Sequence, residues 1–179
     1  VAEILFWPVA VDAKYKDVEA MPDKHIDVCF FNGAIRNTEN EHLAHLLRQK
    51  SKVLVAFGSC ACEGCIPGLA NLYDRKGLFD AAYLESPSND NSAKIVPQVT
   101  TQMPEGEIRI PELYDTVKTL AQVEDVDCFV PGCPPQAPQI WSVIEGIVAG
   151  DLPPKGAVVG AYDKAVCHEC KYERHEKKI

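Results

Sequence analysis

Cysteines set in short glycine- and proline-rich stretches are the residues most able to do chemistry in this chain. They occur in Gly58-Ser59-Cys60-Ala61-Cys62-Glu63-Gly64-Cys65, in Pro131-Gly132-Cys133-Pro134-Pro135 and in Cys167-His168-Glu169-Cys170. Cys60 follows the apolar run Val53–Phe57, and Cys133 follows Val126–Val130. Runs of that kind read as buried parallel strands. The carboxyl edge of an open α/β sheet is where ligands bind. A thiolate there is placed to hold iron rather than to fill a core, and Gly and Pro let the backbone approach a bulky inorganic cluster. Cys60 and Cys133 are therefore candidate cluster ligands, with Cys167 and Cys170 a second candidate pair, and the chemistry they suggest is iron–sulfur electron transfer.

The competing readings are disulfides and inert buried thiols. Eight cysteines could make disulfides in a secreted protein, and free cysteine is among the most buried residue types. The pattern C-x-C-x-x-C, then C-P-P, then C-x-x-C is instead typical of metal binding in a reducing compartment. Cys29 and Cys128 lie inside apolar runs and read as core. Cys62 and Cys65 read as structural rather than as added ligands, because a cysteine in the right loop need not face the metal.

The elements that must position these residues alternate. Val1–Val11, Asp27–Phe31, Val53–Phe57 and Val126–Val130 read as strands. Asn37 offers an N-cap to a helix carrying Leu43, Leu46 and Leu47 at helical spacing. Pro111–Val123 reads as a helix with Leu113, Val117 and Leu120 on one face. Ala137–Ala149 reads as another, with Ile140, Val143, Ile144, Ile147 and Val148 inward and Gly150 at its end. The pattern dissolves between Asp74 and Gly106, and Ser86–Ser92 has the composition of a surface loop or a disordered segment. Pro153-Pro154 begins a linker to a charged tail, Tyr172–Lys178. Strands alternating with helices predict a parallel sheet with helices on its faces.

Composition sets the outer bounds. The chain has 179 residues, 46% of them apolar and 25% charged, as in a soluble globular domain. A formal net charge of −8 argues against nucleic-acid binding. No apolar run is long enough to span a bilayer, and Val1-Ala2-Glu3-Ile4-Leu5 lacks the basic flank of a signal peptide. The histidines outside the cysteine motifs, and acidic pairs such as Glu124/Asp125, read as solvated surface.

With these motifs in place, the chain resembles the small, electron-transferring subunit of cytoplasmic [NiFe]-hydrogenases of the methyl-viologen-reducing, F420-non-reducing type. It is similar over the same motifs to the 20 kDa subunit of complex I. The resemblance runs from Val1 to about Asp163. It rests on Phe57-Gly58-Ser59-Cys60-Ala61, Ile66-Pro67-Gly68-Leu69 and Val130-Pro131-Gly132-Cys133-Pro134-Pro135. It implies a flavodoxin-like parallel sheet with helices on both faces, and a [4Fe–4S] cluster held against a [NiFe]-hydrogenase-type large subunit that does the hydrogen chemistry. It also implies a downstream electron-transfer partner such as a heterodisulfide-reductase-associated protein. Cys60 and Cys133 match two of the family's cluster ligands, and Cys167 and Cys170 match a later C-x-x-C. On this reading 1–155 is the cluster-binding domain and 156–179 a Cys-x-x-Cys tail, with no catalytic residue on the chain.

The family's C-x-x-C after a first strand has no match here. Val1–Val11 aligns with the family's second strand, so the sheet is expected to lack its first strand. That strand, its cluster loop and a helix amount to roughly 35 to 45 residues. The expected consequence is a gap beside Asp27–Phe31. Asn32-Gly33 stands where the family often has Glu-Gly, and Cys65 where Gly is usual. Three alternatives remain: a complex I-like quinone oxidoreductase subunit, an FMN-binding flavodoxin, and a zinc-binding structural module using Cys167-His168-Glu169-Cys170. The loops 58–69 and 131–138 carry few charges and several apolar residues, so they are expected to be an interface.

Overall fold

A computed structural model of the chain describes residues 2–161 and His168. In chain order its regular elements begin with α1 (Tyr15–Ala20), β1 (Ile26–Asn32), β2 (Ile35–Asn37), α2 (Thr38–Lys50) and β3 (Ser51–Phe57). Two short helices follow, α3 (Ser59–Glu63) and α4 (Cys65–Gly68), and then α5 (Arg75–Phe79). The remainder are β4 (Thr100–Met103), β5 (Gly106–Arg109), β6 (Leu113–Lys118), β7 (Cys128–Val130), α6 (Ala137–Val148) and β8 (Ala157–Val158). Among the described residues a four-stranded sheet runs β1-β3-β7-β8, and every neighbouring pair in it is parallel.

The centre of this sheet is β3, paired on both sides. Its Leu54, Val55 and Ala56 are fully buried, which accounts for an unbroken apolar run in place of an alternating one. Successive side chains still go to opposite faces. Leu54 and Ala56, with Cys29, Phe31 and Phe129, pack toward Ala44, Leu46 and Leu47 of α2. Val53, Val55 and Phe57, with Cys128 and Val130, pack toward Val143 and Ile147 of α6. Helices thus cover both faces, as expected. Asn37 caps α2 by accepting from the Asn40 N–H at 2.8 Å, and Gly150, at φ +76°, follows α6. Val148 of α6 is exposed rather than inward.

At the amino-terminal edge of the sheet a polar latch fixes the β3–β7 register. Asp127 accepts from the Leu54 N–H at 2.7 Å and returns its own N–H to the Leu54 carbonyl at 2.9 Å. Arg48, at the end of α2, donates to Asp127 at 2.7 Å and to the Ser51 and Lys52 carbonyls.

Two expected elements take other forms. Residues 2–11 form no strand: Pro8 can give no N–H to a ladder, and the Ala10 and Val11 N–H groups turn back onto the Trp7 carbonyl. Leu5 and Phe6 nevertheless pack against the core. β1 is accordingly the outer strand of the sheet and makes no ladder with this segment. Pro111–Val123 is not a helix. Its first half is β6, antiparallel to β2, and only Leu120–Gln122 makes a single 3₁₀ turn. The β-branched pair Thr116-Val117 suits a strand, and Val117 and Leu120 are buried either way. In the 74–106 excursion, β4 and β5 form a hairpin. The 86–92 loop is pinned by Asn89 and Asn91, whose amides donate to the Ala82, Tyr83 and Ile95 carbonyls.

Candidate functional site

Strand register brings the two motif loops together. Phe57 pairs with Val130 at the carboxyl ends of β3 and β7. Cys60 stands three residues beyond Phe57, and Cys133 three residues beyond Val130. The loops are then stitched to each other. The Gly58 N–H donates to the Val130 carbonyl at 2.8 Å, and the Ser59 N–H to the Gly132 carbonyl at 2.8 Å. In return the Gly132 N–H donates to the buried Ser59 hydroxyl at 3.1 Å.

Glycine is required in both loops. Gly58 has φ +85° and Gly132 φ +142°. A Cβ on Gly132 would lie 2.6 Å from Pro135 Cα, a backbone atom. From the other side Gln139 of α6 donates to the Pro131 carbonyl at 2.8 Å. Ser59 and Gln139 are positioning residues that reading the sequence for cysteines passes over.

The cysteines sort by orientation. Cys62 turns inward: its thiol donates to the Ala56 carbonyl at 3.3 Å, and burial pushes its pKa up to about 11. Burial likewise raises Cys29 to about 11 and raises Cys128 above the ordinary thiol value. These three are core thiols, as the sequence suggested for Cys29 and Cys128. Cys133 is exposed, and its thiol is raised first by a hydrogen bond with the thiol of Cys65 and further by the neighbouring Cys60. Cys60 and Cys133 stand just beyond neighbouring strands at one sheet edge, and Cys65, read from sequence as structural, lies further along the loop that carries Cys60. Its backbone has φ +42°, left-handed for a non-glycine residue. Such a conformation costs about 1–3 kcal/mol and persists where its surroundings impose it. Cys167 and Cys170 lie outside the described residues.

Among the described residues no three His, Cys, Asp or Glu side chains gather as a single metal ion requires. Thiolates that ligate different irons of one cluster need not converge on a point, and an all-thiol donor set at a glycine-rich edge fits an iron–sulfur group chemically. Around the thiols the surface is apolar and uncovered: Ile66 is 67% exposed, Leu69 59% and Leu72 78%. Charged contacts lie elsewhere, as in the pairs Arg48–Asp127 and Lys155–Asp125. Among the described residues no helix is long and apolar enough to cross a membrane.

With this geometry in hand, comparison with known proteins gives a consistent family. The chain is 47% identical over 169 residues to the iron-sulfur subunit of an F420-non-reducing hydrogenase from Archaeoglobus profundus, covering 94% of this chain and 52% of that protein. It is 36% identical to a subunit of the F420-non-reducing hydrogenase vhu from Methanocaldococcus jannaschii, covering 94% of this chain and 50% of that one. The chain thus spans about half the length of the curated relatives it matches. Among solved structures, a chain of the NAD+-reducing [NiFe]-hydrogenase in the H2-reduced state superposes with a TM-score of 0.62 at 26% identity, covering 72% of this chain and 67% of that one. The family model described as NADH ubiquinone oxidoreductase, 20 Kd subunit, matches residues 1–147. The chain belongs to that 20 Kd subunit family.

Proposed function

We propose that this chain is the electron-relay subunit of a [NiFe]-hydrogenase-like complex, holding an iron–sulfur cluster, of the [4Fe–4S] type, through Cys60 and Cys133. The observation that carries the reading is the register-matched, mutually hydrogen-bonded pair of cysteine loops at the carboxyl edge of β3 and β7. When bound, such a cluster passes single electrons at a potential set by hydrogen bonding and solvent exposure. The chain's own residues fix the ligand thiols, keep the loop from flexing through Pro134 and Pro135, and present an apolar rim.

That rim, with Ile66, Leu69 and Leu72 uncovered, suits burial against a large subunit that carries the hydrogen chemistry. The 156–179 segment, with Cys167 and Cys170, is a candidate carrier of a further cluster and of contact with a downstream electron-transfer subunit, such as a heterodisulfide-reductase-associated protein. A reducing, cytoplasmic setting agrees with a site built from free thiols. The family's name keeps a quinone-reducing, complex I-like role as the second reading. Ile66-Pro67-Gly68-Leu69 and the similarity to two F420-non-reducing hydrogenase subunits favour the first.

Cys133→Ser in the natively assembled protein tests this. The variant is expected to lose iron and sulfide from the site and to abolish hydrogen-driven viologen reduction, while assembly partly survives. A variant shown to lack the cluster that still reduces viologen at the wild-type rate would remove the relay role. Zinc without sulfide in the purified protein would instead favour the structural-module reading, and resolved flavin absorption bands would favour FMN.

A further inference from the structure

The 99–110 ribbon has two chemically different faces, and both are exposed. β4 and β5 are antiparallel, so residues opposite each other share a face. Thr101 pairs with Ile108 and Met103 with Gly106, while Thr100 pairs with Arg109 and Gln102 with Glu107. The Ile110 N–H donates to the Val99 carbonyl at 3.0 Å and carries the ladder one pair further. One face is therefore Val99, Thr101, Met103, Ile108 and Ile110. The other is polar, and on it the Arg109 guanidinium donates to Glu107 at 2.9 Å. Alternation of this kind belongs to a sheet with one face packed and one in water. Here Val99, Met103, Ile108 and Ile110 are 41–52% exposed and join neither apolar cluster. A two-stranded ribbon with no packed face is marginal in water.

The ribbon springs from the same strand that holds the apolar rim of the cysteine edge. At the start of β6 the Glu112 N–H donates to the Thr38 hydroxyl at 3.1 Å, and Arg75 donates to the Glu112 carboxylate at 2.7 Å. Toward its end Asn71, between Leu69 and Leu72, accepts from the Val117 N–H at 2.7 Å and donates to the Val117 carbonyl at 2.9 Å. Glu112 and Val117 stand five residues apart, about 17 Å of extended chain. The four apolar side chains of the ribbon present roughly 300–400 Å², enough to mark an interaction site. That is well short of the roughly 800 Å² per partner that a stable complex buries, so the ribbon alone does not hold a second copy of the chain. The rim supplies the remainder, since Ile66, Leu69, Leu72 and Tyr73 are 59–78% exposed.

We propose that the 99–110 ribbon is a second contact arm for the large subunit that covers the rim. Its apolar face lies on an apolar surface of that partner, and Glu107 and Arg109 stay toward water. The proposal rests on the large-subunit reading given above and adds a contact outside both cysteine loops.

Two lysine substitutions on opposite faces test it. Ile108→Lys puts a charge in the middle of the apolar face, and Gln102→Lys puts the same charge on the polar face, opposite Glu107. Both positions are exposed and outside the core, so the fold is expected to hold. The natively assembled complex is immobilised through this chain, and loss of the large subunit on dilution is timed. Ile108→Lys is expected to lose it at least about 10-fold faster than wild type, and Gln102→Lys at the wild-type rate. A second measurement needs no variant: in the wild-type complex the 99–110 amides are expected to exchange hydrogen at least about 10-fold more slowly than in the chain released from it. Wild-type dissociation of Ile108→Lys, equal loss in both variants, or equal exchange in both states would overturn the proposal. So would conversion of a dimer of this chain into monomers by Ile108→Lys, which would make the occupant a second copy. Ile66→Glu with Leu69→Glu, run in parallel, isolates the parent reading. If only that rim variant loses the large subunit, the arm fails and the large-subunit reading stands; if neither it nor Ile108→Lys loses the subunit, both fail.

Discussion

Replacing Gly132 with alanine tests how firmly the cysteine loops are held. Gly132 sits at φ +142°, and a Cβ there would lie 2.6 Å from Pro135 Cα and 2.7 Å from Pro135 N. Both contacts are backbone, so no side-chain rotation relieves them. Gly33 is the natural control: it also has positive φ, +101°, but a Cβ there meets nothing within 4 Å. Forcing a non-glycine residue into such a conformation costs about 1–3 kcal/mol, and this is the whole expected cost at Gly33. At Gly132 the overlap adds about 1–3 kcal/mol more, as overpacking does elsewhere. Taking midpoints, Gly33→Ala is expected to lose about 2 kcal/mol and Gly132→Ala about 4 kcal/mol. For a chain of this length each kcal/mol lowers Tm by about 2–4 °C, giving drops of about 4–8 °C and about 8–16 °C. Thermal melts of the two variants, with iron content measured on the same samples, give the comparison. If Gly132→Ala melts within about 2 °C of Gly33→Ala and keeps its iron, the loop yields freely and the argument for a shaped cradle fails.

At the other edge of the sheet, burial alone would raise the Asp127 carboxyl, but the Leu54 N–H and the Arg48 guanidinium outweigh it and hold the pKa below its ordinary value. Asp127→Asn is expected to lose about 1–3 kcal/mol near neutral pH. A depressed folded pKa contributes stability that is present above the unfolded value of about 3.9 and lost as pH falls through the folded one. Urea melts should therefore show the gap between wild type and variant narrowing from pH 7 to pH 3, and a constant gap would count against the latch. In the cluster-free protein, alkylation at pH 8 should modify exposed Cys133 before Cys29 and Cys62, which are both raised to about 11 and should be slower by about 10-fold or more. Peptide mass mapping reads the order, and equal rates would contradict the inward orientation of Cys62. Substituting Ile66 and Leu69 together by Glu is expected to leave stability within about 0.5 kcal/mol, since both are exposed. The same change should reduce co-purification of a large subunit, and undiminished recovery would remove the interface assignment.

Much of the fold was legible because its strongest signals are local. The Val53–Phe57 run marks a strand buried on both faces, and Asn37 marks a helix start; both are found as read. Leu113, Val117 and Leu120 mislead because their spacing fits a helix, while a β2 strand only three residues long, which carries almost no pattern of its own, recruits them into a ladder. Residues 2–11 read as a strand on apolar content alone, although Pro8 argued against it. At the site, residue type and position beyond a strand located Cys60 and Cys133. Nothing in their spacing could sort Cys62 from Cys65, since the difference lies in the turn at Gly64 and in the inward hydrogen bond that Cys62 alone is seen to make. Gln139 was invisible for the same reason: its role depends on where α6 lies against the Pro131 carbonyl.

The latch and the cysteine edge are two ends of one strand pair, and this explains why residues far from the thiols matter to them. Cys60 and Cys133 stand level only because Phe57 faces Val130. A slip of one residue between β3 and β7 would displace one loop against the other by about 3.3 Å and send every side chain of the slipped strand to the opposite face. If β7 slipped, Cys128 and Val130 would leave the α6 face on which they pack. Asp127 opposes that slip directly, because its carboxylate and its N–H both engage Leu54. Two short loops could not impose the register by themselves, since their three hydrogen bonds depend on Val130 and Gly132 already being in place. The placement of the thiols is thus set mainly by the buried strand pair and its latch, and the glycine-rich loops convert that register into a cradle.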